Sequence, residues 1–130
     1  MKEKRKKKST NVLIVEDEKD LCYLLELAIR NEKLSTACAN SLHEARQTIH
    51  NIEPNVLFVD NHRPDGSGNE LIPQIKSLYP AVKVIMITAY DTPGDMEEAF
   101  NNGADYFISK PFSISAIKNV LAKFEFKNIA

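Results

Sequence analysis

Asp60 stands directly after four apolar residues, Val56, Leu57, Phe58 and Val59, and directly before a turn-rich stretch, NHRPDGSG at 61–68. A second apolar run, NVLIV at 11–15, ends in Glu16, Asp17 and Glu18. A third, VKVIMIT at 82–88, ends on Thr88, and a shorter one, DYFIS at 105–109, is followed by Lys110 and Pro111. Carboxylates held close together repel, and one takes up a proton unless positive charge is near. A divalent cation supplies that charge, and hard oxygen ligands with several waters suit magnesium. With an ammonium from Lys110 and a hydroxyl donor from Thr88, the set describes a site for a phosphoryl group. Asp60 is the candidate acceptor, because a carboxylate can act as a nucleophile and form an acyl phosphate.

Each of these residues has an ordinary explanation when taken singly. A strand-end Asp commonly caps a helix, a Lys is commonly a solvated surface charge, and a Thr forms caps and turns. The signal is the order in which they follow successive apolar runs. For them to meet, the runs must be parallel strands of one sheet, since ligands bind at the carboxyl ends of such strands. The first strand must also lie between the second and third.

The rest of the chain supplies the elements. Leu21, Leu24, Leu25 and Ala28 fall at helical spacing and predict a first helix. LSTACA at 34–39 is a weaker strand, and Ser41 with Glu44 predicts a capping box that opens a second helix with Ala45 and Ile49 inward. Leu71, Ile72, Ile75 and Leu78 predict a third helix closed by Pro80. Thr92 and Pro93 open a fourth, with Met96, Ala99 and Phe100 as its apolar stripe and Gly103 as its end. Ser113 caps a fifth, with Ile114, Ile117, Val120, Leu121 and Phe124 inward. Strict alternation of strand and helix predicts an α/β fold, a five-stranded doubly wound parallel sheet in three α-β-α layers.

The elements VLIVEDE, VLFVDNHRPDGSG, VIMITAY and YFISKPF resemble those of a receiver domain of the two-component response regulators, a CheY-like (βα)5 fold of the flavodoxin type. The resemblance spans residues 11 to about 125. It implies that Asp60 is the phosphoacceptor and that Thr88 and Lys110 contact the phosphoryl oxygens. It implies that Glu16, Asp17, Asp60 and the backbone carbonyl of His62 hold Mg²⁺, with Mn²⁺ as an alternative. It implies a cis bond between Lys110 and Pro111, and a switch in which Thr88 shifts and Phe107 turns inward. The surface of the fourth helix, fifth strand and fifth helix is then the output face. His62 and Tyr90 flank the site where residues influence loss of the phosphoryl group, and their bulk predicts slow self-dephosphorylation. The donor implied is a phosphohistidine on a sensor histidine kinase or histidine phosphotransfer protein, docking near Asp20, Leu21, Leu24 and Pro111. Where most of the family has Asp, the first acid is Glu16, and where it has Met, position 63 is Arg. Pro64 and Gly68 keep the family's spacing from Asp60, whereas Asp65 and Gly66 fill that loop in an unusual way.

Other functions fit less well. A haloacid-dehalogenase-like phosphatase needs a nucleophilic Asp two residues before a second Asp after the first strand, and here the residues are EDE. A topoisomerase-primase-type site needs Asp-x-Asp, and here it is DNH. The expected protein is therefore not an enzyme beyond its own phosphorylation and dephosphorylation. The alternative is a phosphorylation-independent pseudo-receiver. His62 has no second histidine at ligand-like spacing, since His43 and His50 lie on or beside the second helix.

The chain has 130 residues and a net charge of −1, which conceals an asymmetry. Residues 2–8 hold six Lys/Arg and one Glu, while the remainder holds 11 basic and 17 acidic residues. The expectation is a basic disordered tail over 1–10 and one receiver domain over 11–127. No recognition helix accompanies the tail, so direct DNA binding is not expected. No apolar run reaches the roughly 20 residues of a membrane span, and the N-terminus lacks the apolar stretch of a signal peptide, so a cytoplasmic location is expected. Cys22 and Cys38 are too few for a disulfide framework and are expected as reduced, partly buried thiols. A monomer, or a weak dimer formed on phosphorylation, is the expected state.

Overall fold

The computed structural model describes residues 10–30, 34–63 and 66–123. The elements are β1 (Thr10–Val15), α1 (Lys19–Ile29), β2 (Leu34–Ala39), α2 (Leu42–Ile52), β3 (Val56–Val59), β4 (His62–Arg63), β5 (Gly66–Ser67), α3 (Gly68–Leu78), β6 (Lys83–Thr88), α4 (Pro93–Asn101), β7 (Tyr106–Ser109) and α5 (Ile114–Ala122). Five strands form one parallel sheet in the order β2-β1-β3-β6-β7. β1 thus lies between β2 and β3, as convergence of the acids requires.

Alternate residues of the central strands feed two cores. Leu13, Val15, Leu57, Val59, Val84 and Met86 face α2, α3 and Ala99 of α4. Val12, Ile14, Val56, Phe58, Ile85 and Ile87 face α1 and α5. All four residues of β3 are buried, as befits a parallel strand covered on both sides. Ser41, Ser67, Thr92 and Ser113 each accept a backbone N–H at a helix start. Thr92 forms a full capping box with Asp95. Glu44 does not close the box expected with Ser41, because its carboxylate accepts the N–H of Asn40 instead.

Several expected faces are rotated or shallower than predicted. Helix α1 buries Cys22, Leu25, Ala28 and Ile29, while Leu24 is exposed and Leu21 half-buried. The helix is apolar on most sides, so periodicity alone does not choose the buried one. Leu78, Phe100 and Ile114 are exposed near the ends of their helices, and Met96 is exposed within α4. Val120 and Leu121 are partly buried against the α1–α5 core. β4 and β5 pair antiparallel as a ribbon in a segment predicted as turn alone. Pro64, Asp65, the side chains of His62 and Arg63, Phe124 and the basic residues of the N-terminal segment lie outside the described residues. Thr10, assigned above to the tail, opens β1.

The cysteine expectation is overturned. Cys22 on α1 and Cys38 on β2 are joined as a disulfide, with Cα atoms 6.5 Å apart. They are 16 residues apart in sequence, and only the crossover of α1 onto the β1–β2 edge of the sheet brings them together.

Candidate functional site

Four neighbouring strands end at one rim. Glu16 follows β1, Asp60 follows β3, Thr88 ends β6 and Lys110 comes one residue after β7. The sheet ladder continues into this rim. Glu16 N–H donates to Ala39 O at 2.9 Å, and Lys110 N–H donates to Thr88 O at 2.9 Å. The side chains therefore start from fixed backbone, which is what a precise site needs.

Asp60 is 6% exposed and Glu16 3% exposed. Between them lies the Lys110 ammonium. It reaches across β6 to donate to Asp60 Oδ2 at 2.6 Å and to Glu16 Oε1 at 3.3 Å. Glu16 Oε2 accepts the Glu18 N–H at 3.1 Å. The Asp60 contact has the short length of a charge-assisted hydrogen bond. Burial by itself pulls the Lys110 ammonium down, but the hydrogen bond and charge of Asp60, with those of Glu16, outweigh it. The net result holds its pKa above the ordinary lysine value of 10.5.

Thr88 is fully buried, and its Oγ1 accepts the Tyr90 N–H at 3.2 Å. That bond ties the hydroxyl to the loop entering α4. Tyr90 is exposed beside it. Phe107 is half-buried on β7, its ring centroid 6.4 Å from that of Phe100 on α4. The Lys110–Pro111 bond is cis, as the resemblance implied. Asp17 is exposed on the loop between β1 and α1. Asp20 and Leu24 are exposed on α1, and Pro111 is exposed beyond β7.

The structure thus brings Lys110 into direct contact with both Glu16 and Asp60. Among the described residues, no three His, Cys, Asp or Glu side chains group tightly enough to cage a metal ion by themselves. Lys110 supplies the counter-charge to the two buried acids.

Two supporting features were not read from the sequence. Asn61 Oδ1 accepts from Ser67 Oγ at 2.6 Å and from Asn69 Nδ2 at 3.1 Å, and Asn61 O accepts Gly68 N–H at 2.8 Å. These bonds fold the chain after Asp60 back onto the start of α3. Gly68 is the second feature. A Cβ there would lie 2.5 Å from Asp60 O, so only glycine lets α3 start this close beneath the acid. Its spacing from Asp60 is visible in the sequence, but the contact depends on tertiary folding. Gly68→Ala is expected to destabilise the domain by about 1–3 kcal/mol, the usual cost of overpacking. A urea melt checks this, and an unchanged midpoint would contradict the close approach.

An open parallel sheet in this order, with acids and a lysine gathered at its carboxyl rim, defines an α/β protein of the flavodoxin-like class. The chain belongs to the response regulator receiver domain family, whose model matches residues 12–122. It is therefore a receiver domain of the two-component response regulators. It is 34% identical over 110 residues to response regulator protein PilR of Pseudomonas aeruginosa, a match covering 85% of this chain and 25% of that protein. It is 33% identical over 109 residues to the KDP operon transcriptional regulatory protein KdpE of Escherichia coli, covering 84% of this chain and 48% of that one. The chain thus spans about a quarter and about half of the length of these relatives. A CheY-like receiver domain protein from Methanospirillum hungatei superposes with a TM-score of 0.82 at 26% identity, over 88% of this chain and 92% of that one. Among the described residues no helix is long and apolar enough to cross a membrane.

Proposed function

We propose that this receiver domain is a phosphorylation switch whose acceptor is Asp60. The observation that carries the reading is the Lys110 ammonium 2.6 Å from the Asp60 carboxylate at the sheet rim. The donor is a phosphohistidine of a sensor kinase or phosphotransfer protein. A carboxylate oxygen of Asp60 attacks phosphorus, the P–N bond breaks, and the imidazole nitrogen keeps the electron pair. Lys110 balances charge on the phosphoryl oxygens, and the Thr88 hydroxyl donates to one of them.

The donor set suits a hard divalent cation. Buried carboxylates of Glu16 and Asp60 face a rim where Asp17 is exposed, and magnesium is commonly held by one or two carboxylates plus water. Asp17, Asp60 and the His62 carbonyl, with Glu16, would hold Mg²⁺, which would neutralise charge on the transferring group. The partner approaches over Asp20, Leu24 and Pro111 on the exposed side of α1 and the β7–α5 loop.

Phosphorylation adds about −1.5 to −2 charges beside Lys110 and Thr88. Movement of Thr88 pulls on the Tyr90 N–H it binds, and so on the loop into α4. Phe107, its ring tilted against that of Phe100, repacks with α4. The α4–β7–α5 surface is the output face.

The test is intact mass after incubation with acetyl phosphate and Mg²⁺. A gain of about 80 Da, one HPO₃ on a carboxylate, is expected in a folded sample. No gain, where a control receiver is modified, would replace this reading with a phosphorylation-independent interaction module. The adduct should persist beyond seconds at neutral pH, because the bulk of His62 and Tyr90, which flank the acceptor in this family, hinders an attacking water.

A further inference from the structure

We propose that Cys22 and Cys38 are a reversible thiol–disulfide modification site that reacts with small disulfides of the glutathione class. Their Cα atoms are 6.5 Å apart, within the range that a disulfide spans without backbone movement. The two sulfurs differ in access. Cys22 is 7% exposed on the buried face of α1, whereas Cys38 is half-buried on β2, an edge strand of the sheet. A reagent therefore meets Cys38 first.

The chemistry balances without a further reactant. The Cys38 thiolate attacks one sulfur of the small disulfide, forming a mixed disulfide and releasing one thiolate, which takes up the proton that Cys38 lost. Cys22 then attacks the Cys38 sulfur and releases the second thiol. Two protein thiols are oxidised and one small disulfide is reduced to two thiols. In a reducing compartment the bond reverses by the same route, so the site reports the thiol–disulfide balance around it.

The position of the bond gives it a consequence. Cys22 N–H donates to Glu18 O at 3.0 Å, and Glu16 N–H donates to the carbonyl of Ala39, the residue after Cys38, at 2.9 Å. The cross-link therefore joins the two backbone anchors of the acidic loop, residues 16–18. Closing it restrains that loop and the N-terminal turn of α1 together. This inference does not depend on phosphorylation of Asp60, and the Asp60→Asn protein should behave identically.

The experiment first reduces the folded wild-type chain and Asp60→Asn with dithiothreitol, removes the reductant, and then adds oxidised glutathione with no phosphodonor. The expected product is lighter by about 2 Da, has lost both iodoacetamide-reactive thiols and returns to the reduced mass with dithiothreitol. Cys22→Ser should stop at a mixed adduct on Cys38, heavier by about 305 Da. Hydrogen exchange at residues 16–22 should slow on oxidation. Two thiols still alkylated, or a stable adduct on each cysteine of the wild type, would overturn the site. Unchanged exchange at residues 16–22 in the oxidised protein would overturn the restraint on the loop.

Discussion

Asp60→Asn is expected to abolish the phosphoryl gain completely and leave the fold in place. The substitution changes one oxygen to an amide of nearly the same shape, so the buried volume at the end of β3 is kept. The amide is not nucleophilic enough to form an acyl phosphate, whereas the carboxylate is. Lys110 loses the negative charge that it meets at 2.6 Å on Asp60 but keeps Glu16 at 3.3 Å. The amide oxygen can still accept from the ammonium, and Glu16 is relieved of a neighbouring acid. These effects oppose each other, so the stability change is expected within about 1–2 kcal/mol, the scale of one hydrogen bond to a charged group. The check pairs intact mass with a denaturant melt. A folded Asp60→Asn protein that still gains one phosphoryl unit would move the acceptor elsewhere, with Glu16 and Asp17 the first carboxylates to test. A variant that does not fold would leave the mass result without meaning, and the melt excludes that case.

The site was legible because its parts are fixed by strand ends. An acid directly after a buried apolar run has its place set by the strand, and the parallel sheet decides which ends meet. Glu16, Asp60 and Lys110 therefore emerged as a group from the chain alone. What escaped was whatever depends on the angle between elements. Helix α1 carries Leu21, Cys22, Tyr23, Leu24, Leu25, Leu27, Ala28 and Ile29, so apolar residues lie on nearly every side. The side facing the sheet is chosen by docking against α5 and the sheet. Leu24 and Tyr23 end outside and Ile29 ends inside. The Cys22–Cys38 pair and the contact of Gly68 with Asp60 O have the same origin, since both are long in sequence or set by backbone approach. The β4–β5 ribbon escaped for a different reason. Two-residue strands carry too little pattern to separate them from the turn they flank.

Lys110→Met should destabilise the domain more than any other single change at the rim. The methionine keeps the stem that crosses over β6 but removes the ammonium. Asp60 and Glu16, both nearly fully buried, then lose the ammonium that each contacts. Removing one partner of a buried ion pair costs about 3–5 kcal/mol. The Lys110 side chain is 16% exposed, so water screens part of this and about 2–4 kcal/mol is the expected loss. For a domain near this size that lowers Tm on the order of 10–20 °C. The pH dependence follows from the raised pKa of Lys110. A group bound more tightly to its proton in the folded state contributes fully below its unfolded value, here 10.5. The contribution disappears as pH climbs through the higher folded value. The stability gap between wild type and Lys110→Met should therefore be constant from neutral pH to about pH 10 and narrow above it. Mg²⁺ should raise the Tm of the variant more than that of wild type, because a cation then supplies the charge that the lysine no longer does. Lys110→Arg, which keeps the charge, should recover part of the loss. A Lys110→Met protein melting within about 1 °C of wild type at neutral pH would mean that the two acids do not depend on this lysine. The charge argument for Asp60 as a phosphoryl site would then lose its main support.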